Sequence, residues 1–186
     1  MTLLTLLLII QGLTPQLPVQ NFTLTNVVTG TAVSLDTQYQ TSGVAVLFTS
    51  NNCPFDRYYT DRVKSLISSY QGKIGFLLIN SHVDPEEATD KMKAAYPAWG
   101  LSVPYLADKE QVAMDALGAR RSPEVFLLKK VNGKYFVSFS GAIDDNPQAS
   151  AAVTIPYLKN AMDNLLAGKV TDPAMVRAAG CSIRKK

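Results

Sequence analysis

Polar and apolar positions along this chain sort into short segments whose repeat changes several times. Around residues 22–35, "FTLTN" and "AVSL" alternate apolar and polar side chains on either side of "VVTGT", which predicts a small hairpin. "VAVLF" at 44–48 is apolar without a break, as a strand buried on both faces requires. Phe55, Tyr59, Val63, Leu66, Ile67 and Tyr70 then recur at helical spacing, so 54–70 should be a helix, with Gly72 as its stop. "IGFLLIN" at 74–80 reads as a second buried strand, and "PEEATDKMKAAY" as a helix opening on Pro85 with acids in its first turn. "VPYLAD" is a short extended piece before a helical stretch over 109–117. "EVFLLKK" and "KYFVSFS" flank Asn132-Gly133, the favoured two-residue hairpin turn. A last helix puts Leu158, Ala161, Met162, Leu165 and Leu166 on one face and ends at Gly168.

This order describes an α/β fold: a central mixed sheet flanked by helices, with an N-terminal β-hairpin added. A chain of 186 residues that is 47% hydrophobic suits one domain, placed over 17–186, with an irregular surface tail from about 169. Residues 1–16 stand apart. "LLTLLLII" is too short to span a bilayer and has the length of an export-signal core, but no Lys or Arg precedes it and no small-x-small site follows. As a cleaved leader it points to an exported or periplasmic protein; as a packed extension it leaves a cytoplasmic one.

The 18 Lys and Arg are spread among 15 acids, for a net charge of +3, which gives no nucleic-acid groove. No G-x-G-x-x-G, phosphate loop or ligand cluster is present, so no cofactor or metal is expected; the oligomeric state is left open. The single histidine, His82, reads as a solvated loop residue. Two cysteines are too few for a disulfide scaffold. Cys53 would be an N-cap if the helix starts at Pro54, and the unpaired amides and dipole there favour thiolate over thiol. Arg57 would help and Asp56 would oppose; the alternative is a buried, inert cysteine. In "RRSPEVFLL", Pro123 sits just ahead of a buried strand, which makes Ser122-Pro123 a candidate cis peptide.

"SNNCPF", "INS", "VPYLAD", "RSPEVFLL", "GAIDDN", "YLKNAMDNLLAGK" and "GCSIRKK" follow in that order from about residue 17 onward. Together they resemble a peroxiredoxin-like redoxin family of the thioredoxin-fold superfamily, related to alkyl hydroperoxide reductase and thiol-specific antioxidant proteins. That family carries C-N-H-C-P-Y, I-N-S, F-P-Y-L, T-P-E-V-F and G-C-S-I-K-W at the matching places. The chain departs from it in having Ser50 for the first loop cysteine and in lacking the closing tryptophan. Ser50-x-x-Cys53-Pro54 is similar to the T-x-x-C-P of peroxiredoxins, so the resemblance implies a Cys53 thiolate attacking a hydroperoxide that Ser50 and an arginine orient. The peroxiredoxin arginine falls where this chain has Pro123. Arg121 or Arg120 from the same loop, or Arg62 from the helix, would have to replace it, with Pro54, Ser122 and Pro123 around the substrate. The resemblance includes Cys181, which would condense with a sulfenic acid at Cys53 or remain a free cysteine that never meets it.

Three readings result. The first is a peroxidase-like redox protein reduced by Cys181 or by an external thiol such as glutathione or thioredoxin; it leads because the Ser-x-x-Cys-Pro pattern survives while the dithiol motif is broken. The second is a monothiol exchange protein acting on protein disulfides. The third is a binding module of thioredoxin fold without catalysis.

Overall fold

The computed structural model describes residues 16–36 and 41–186. The leader expected over 1–16 lies, Gln16 apart, outside the described residues. The first hairpin forms as read, β1 (Thr23–Asn26) against β2 (Ala32–Ser34). Next come β3 (Gly43–Phe48), α1 (Pro54–Ser69) and β4 (Gly75–Asn80). A 3₁₀ turn at Pro85–Glu87 and α2 (Thr89–Ala95) replace the single helix expected from Pro85, because Ala88 adopts an extended ψ of 154°. After β5 (Tyr105–Ala107), α3 (Val112–Leu117) starts later than its pattern suggested. Gln111 is left-handed at φ 59°, and the Asp108 carboxylate takes the amides of Ala113 and Met114 in place of a cap. β6 (Arg121–Ser122), β7 (Glu124–Val131), β8 (Lys134–Gly141), α4 (Tyr157–Leu166), β9 (Met175–Val176) and β10 (Cys181–Ser182) complete the chain.

Eight strands form one mixed sheet in the order β2-β1-β5-β4-β3-β7-β8-β9, and β10 pairs with β6 beside it. β3 runs parallel to β4 and antiparallel to β7, and all six of its residues are buried. Successive side chains leave a strand on opposite faces, so this run feeds two cores. Ala45 and Leu47 pack with Tyr59 and Val63 of α1 and with Leu158, Ala161 and Met162 of α4. Val44, Val46 and Phe48 pack on the other face with Ala113, Met114 and Leu117 of α3. Each buried Val, Leu, Met or Phe among them contributes about 1.5–3 kcal/mol. β3 and β4 therefore end at the same edge of a rigid sheet, and the chain leaves β3 there to enter α1. In open α/β sheets ligands bind beyond the carboxyl ends of the strands, which places the loop of Cys53 in that position.

Candidate redox site

Cys53 caps α1, with extended dihedrals of φ −69° and ψ 123°, and Pro54 is the first helical residue, where its missing N–H costs nothing. Ser50 Oγ accepts the amides of Asn52 and Cys53, each at 3.1 Å, and so folds the loop back on itself. The Ser122-Pro123 peptide is cis, as its place ahead of β7 suggested. Cys181 sits opposite Ser122 in the β10–β6 pair, and its sulfur is bonded to that of Cys53 at 1.99 Å, with the Cα atoms 6.0 Å apart. Ser122 O lies 3.3 Å from Cys53 Sγ. Cys53 is 3% exposed, whereas Cys181 is only half-buried.

The chain beyond residue 168 is irregular apart from β9 and β10, and its end is held by packing and hydrogen bonds. Ile183, 7% exposed, belongs to the core beneath α3, and its amide donates to Arg120 O at 2.9 Å. Arg121 Nη1 donates to Gly180 O at 2.9 Å, and Gln111 Nε2 donates to Arg184 O at 2.7 Å. Arg184 pairs with Asp84, Lys185 with Asp115 and Lys186 with Glu110. Those three pairs are exposed and individually weak; the apolar anchor and the strand pairing hold the segment. Gly180 permits the close approach, since a Cβ there would stand 2.3 Å from Ser122 O.

The expected arginines are placed as follows. Arg121 secures the tail through Gly180. Arg120 is exposed, its backbone amide bonded to Glu124 Oε2 at 2.7 Å. Arg62 lies over the Tyr59 ring and is committed to Asp144 at 2.6 Å and to the carbonyls of Asn146 and Pro147. Among the described residues no guanidinium donates to the 50–53 loop.

Sequence reasoning missed Glu87. This side chain, 2% exposed, accepts Ser50 Oγ at 2.5 Å, the amides of Asn51 and Asn52 at 2.9 and 3.1 Å, and Asn80 Nδ2 at 2.7 Å. Burial pushes its carboxyl up, but these donors outweigh burial and hold it below the usual carboxylate range. Asn80 Nδ2 also donates to Tyr105 OH, which donates to Asn51 Oδ1, so the loop is wired to both β4 and β5. In the sequence Glu87 was one of several acids opening a helix; only the break at Ala88 turns it inward.

Asp56 behaves differently. Thr49 Oγ1 donates to its Oδ1 at 2.8 Å, while Oδ2 is sealed from solvent with no hydrogen-bond partner. Burial pushes the carboxyl up to about 8, so at neutral pH it is mostly a neutral acid. It does not oppose a thiolate at Cys53 as its sequence position implied. His82 is not solvated either: it is 6% exposed, with Nε2 2.8 Å from Ser122 Oγ. An open cleft of about 320 Å³ brings together Ser50, Asn52, Cys53, His82, Glu87 and Cys181.

The sequence pattern of the AhpC/TSA family matches residues 15–145, through the strand, capping cysteine, helix and cis-proline just described. The chain belongs to the AhpC/TSA family. It is a thiol-based redox protein of thioredoxin-like fold, and its disulfide joins the two cysteines that the resemblance singled out. No curated protein matches it in sequence. An uncharacterized conserved protein from Geobacillus kaustophilus is 27% identical, with a TM-score of 0.83 over 92% of both chains. At the level of fold alone, this AhpC/TSA chain is similar to a thiol-disulfide oxidoreductase from Bacteroides fragilis, at 16% identity and a TM-score of 0.55 over 66% of this chain and 88% of that one. Peroxidoxin BcpB from Mycobacterium tuberculosis gives 16% and 0.60 over 82% and 96%.

Proposed function

We propose that this protein exchanges thiols and disulfides with a partner through the Cys53–Cys181 couple, Cys181 being the sulfur that meets the partner. The carrying observation is the unequal exposure of two bonded sulfurs, one sealed at the helix cap and one half-open on the cleft. A partner thiolate attacks Cys181 Sγ, the S–S bond breaks, and Cys53 leaves as a thiolate at the N-terminal end of α1, where the helix dipole favours its charge. A second partner thiol attacks the mixed disulfide and frees Cys181. The partner has then given two electrons to the pair and one proton to Cys181, its other proton having left when the first thiol ionised, and the reverse sequence reduces a partner disulfide. Glutathione, thioredoxin-like dithiols and protein disulfides are the matching substrate class.

The hydroperoxide reading draws support from the Ser50-x-x-Cys53-Pro54 loop, whose backbone amides converge on Ser50 Oγ. Two features weigh against it: the Ser50 hydroxyl donates its proton to Glu87, and Arg62 and Arg121 are engaged elsewhere. One experiment separates the readings. With glutathione disulfide, the Cys53→Ser protein should gain one glutathione at Cys181, detected by mass, and the Cys181→Ser protein should react far more slowly. If instead Cys53→Ser is inert and Cys181→Ser accumulates a dimedone-trapped sulfenate with hydroperoxide, peroxide reduction at Cys53 replaces exchange.

A further inference from the structure

His82 is the only histidine of the chain, and it forms a wall of the cleft that holds both sulfurs. The exchange reaction as written above does not use it. Its backbone is clamped, the amide donating to Asn80 Oδ1 at 3.0 Å and the carbonyl accepting Lys109 Nζ at 2.8 Å. The ring is thereby directed at Ser122, with Nε2 2.8 Å from Oγ. Ser122 is fully buried and connects everything here. Its hydroxyl meets the imidazole, its carbonyl lies 3.3 Å from Cys53 Sγ, and its backbone pairs with Cys181.

The charges around the ring come from every side. Glu87 faces it from the turn before α2, Asp84 and Glu86 line the cleft rim, Lys109 approaches from the loop after β5, and Arg184 from the tail. The Ser122 side chain also faces the carboxyl of Asp56, which is mostly neutral. Burial, helped by Lys109 and Arg184, lowers the imidazole pKa more than Glu87 raises it, so the ring is neutral beside the closed disulfide. A neutral, confined imidazole lining the cleft in which a thiolate is released is a proton acceptor waiting for its counter-charge.

We propose that His82 is the acid–base group of the exchange reaction, resting on the reading of the couple given above. The incoming partner thiol gives its proton to the imidazole and becomes the thiolate that forms the new bond to Cys181 Sγ. The Cys53–Cys181 bond breaks, the electron pair stays on Cys53, and the Cys53 thiolate pairs with the imidazolium. When the second partner thiol displaces Cys181, its proton goes to the Cys181 sulfur. In the opposite direction the imidazolium returns the proton to the leaving thiol. The ligand class this selects is a neutral thiol near physiological pH rather than a preformed thiolate.

The test uses the intact protein. The lone imidazole is titrated by proton NMR in the oxidised and the reduced wild-type protein, and its pKa should rise by about one unit or more on reduction, as for a group gaining an opposite charge nearby. The rate of glutathione exchange at Cys181 is then followed against pH in wild type and in His82→Gln, which keeps a donor toward Ser122 Oγ but cannot titrate. The variant should be slower by about ten- to a hundredfold near neutrality and should lose the inflection at the imidazole pKa. Identical imidazole titrations in the two redox states overturn the proposal without any variant, as does an unchanged pH–rate profile in His82→Gln. Absence of exchange in the wild-type protein would instead overturn the assignment of the couple itself.

Discussion

The Cys53–Cys181 bond closes a loop across most of the chain, and its removal has a size that follows from that fact. For residues separated by 128 positions, the chain-entropy relation gives a stabilisation of about 5 kcal/mol at room temperature. The folded side of the balance changes little on reduction, because Ile183, the Arg121–Gly180 bond and the β10–β6 pairing keep the segment seated. Nearly all of the effect therefore falls on the unfolded ensemble. With an unfolding entropy of about 2.1 cal/mol/K per residue, a chain of 186 residues changes by about 0.4 kcal/mol per degree, so the midpoint should fall by about 12 °C. The assay is thermal unfolding by circular dichroism, with and without reductant, on the wild type and on Cys181→Ala. The variant should unfold at one temperature under both conditions and coincide with the reduced wild type. Oxidised and reduced wild-type midpoints within a degree or two of each other would refute the reasoning, since the bond would then add nothing to a segment held by its packing.

Asp56→Asn should flatten the pH dependence of stability. The folded carboxyl titrates at about 8 against an ordinary 3.8, so between those values the folded state holds a proton that the unfolded state has lost, and stability falls as pH rises through the window. The cost is at most about 1.4 kcal/mol per pH unit crossed; urea midpoints at pH 5 and pH 8.5 that differ equally in wild type and variant would contradict it. Glu87→Gln turns one of two oxygens that each accept two donors into an NH2, leaves those two donors without an acceptor, and should destabilise by at least about 1–3 kcal/mol in urea unfolding; an unchanged midpoint would contradict it. Gly180→Ala drives a Cβ against Ser122 O and should push β10 away from β6, so free thiols should be detectable in the air-oxidised variant and absent in the wild type.

What could be read in the chain was whatever is decided by neighbours in sequence. β3 announced itself as an unbroken apolar run, Pro54 marked the start of α1 and made Cys53 its cap, Asn132-Gly133 turned β7 into β8, and the serine–proline pair ahead of β7 is cis. The failures share one cause. Glu87 reaches a loop 36 positions away, His82 meets Ser122 at 40, and Gln111 holds Arg184 at 73. Each contact depends on strand order rather than on local pattern, so a buried acid looked like a helix-opening one and a walled-in imidazole looked like a surface one. The tail is opaque for the same reason: two-residue strands leave no periodicity, and its returns to the interior at Val176, Ala178 and Ile183 are isolated positions.

The seating of Cys181 governs how long a captured partner can stay. With its strand fastened by apolar contact and backbone pairing, the released Cys53 thiolate faces its former mate at an effective concentration far above that of any free thiol. Re-closure is then first order and indifferent to dilution, and because the exposed ion pairs of residues 184–186 contribute little, ionic strength should scarcely alter it. Covalent adducts on this protein are short in dwell time by construction, so partners should be recoverable only when Cys53 has been removed.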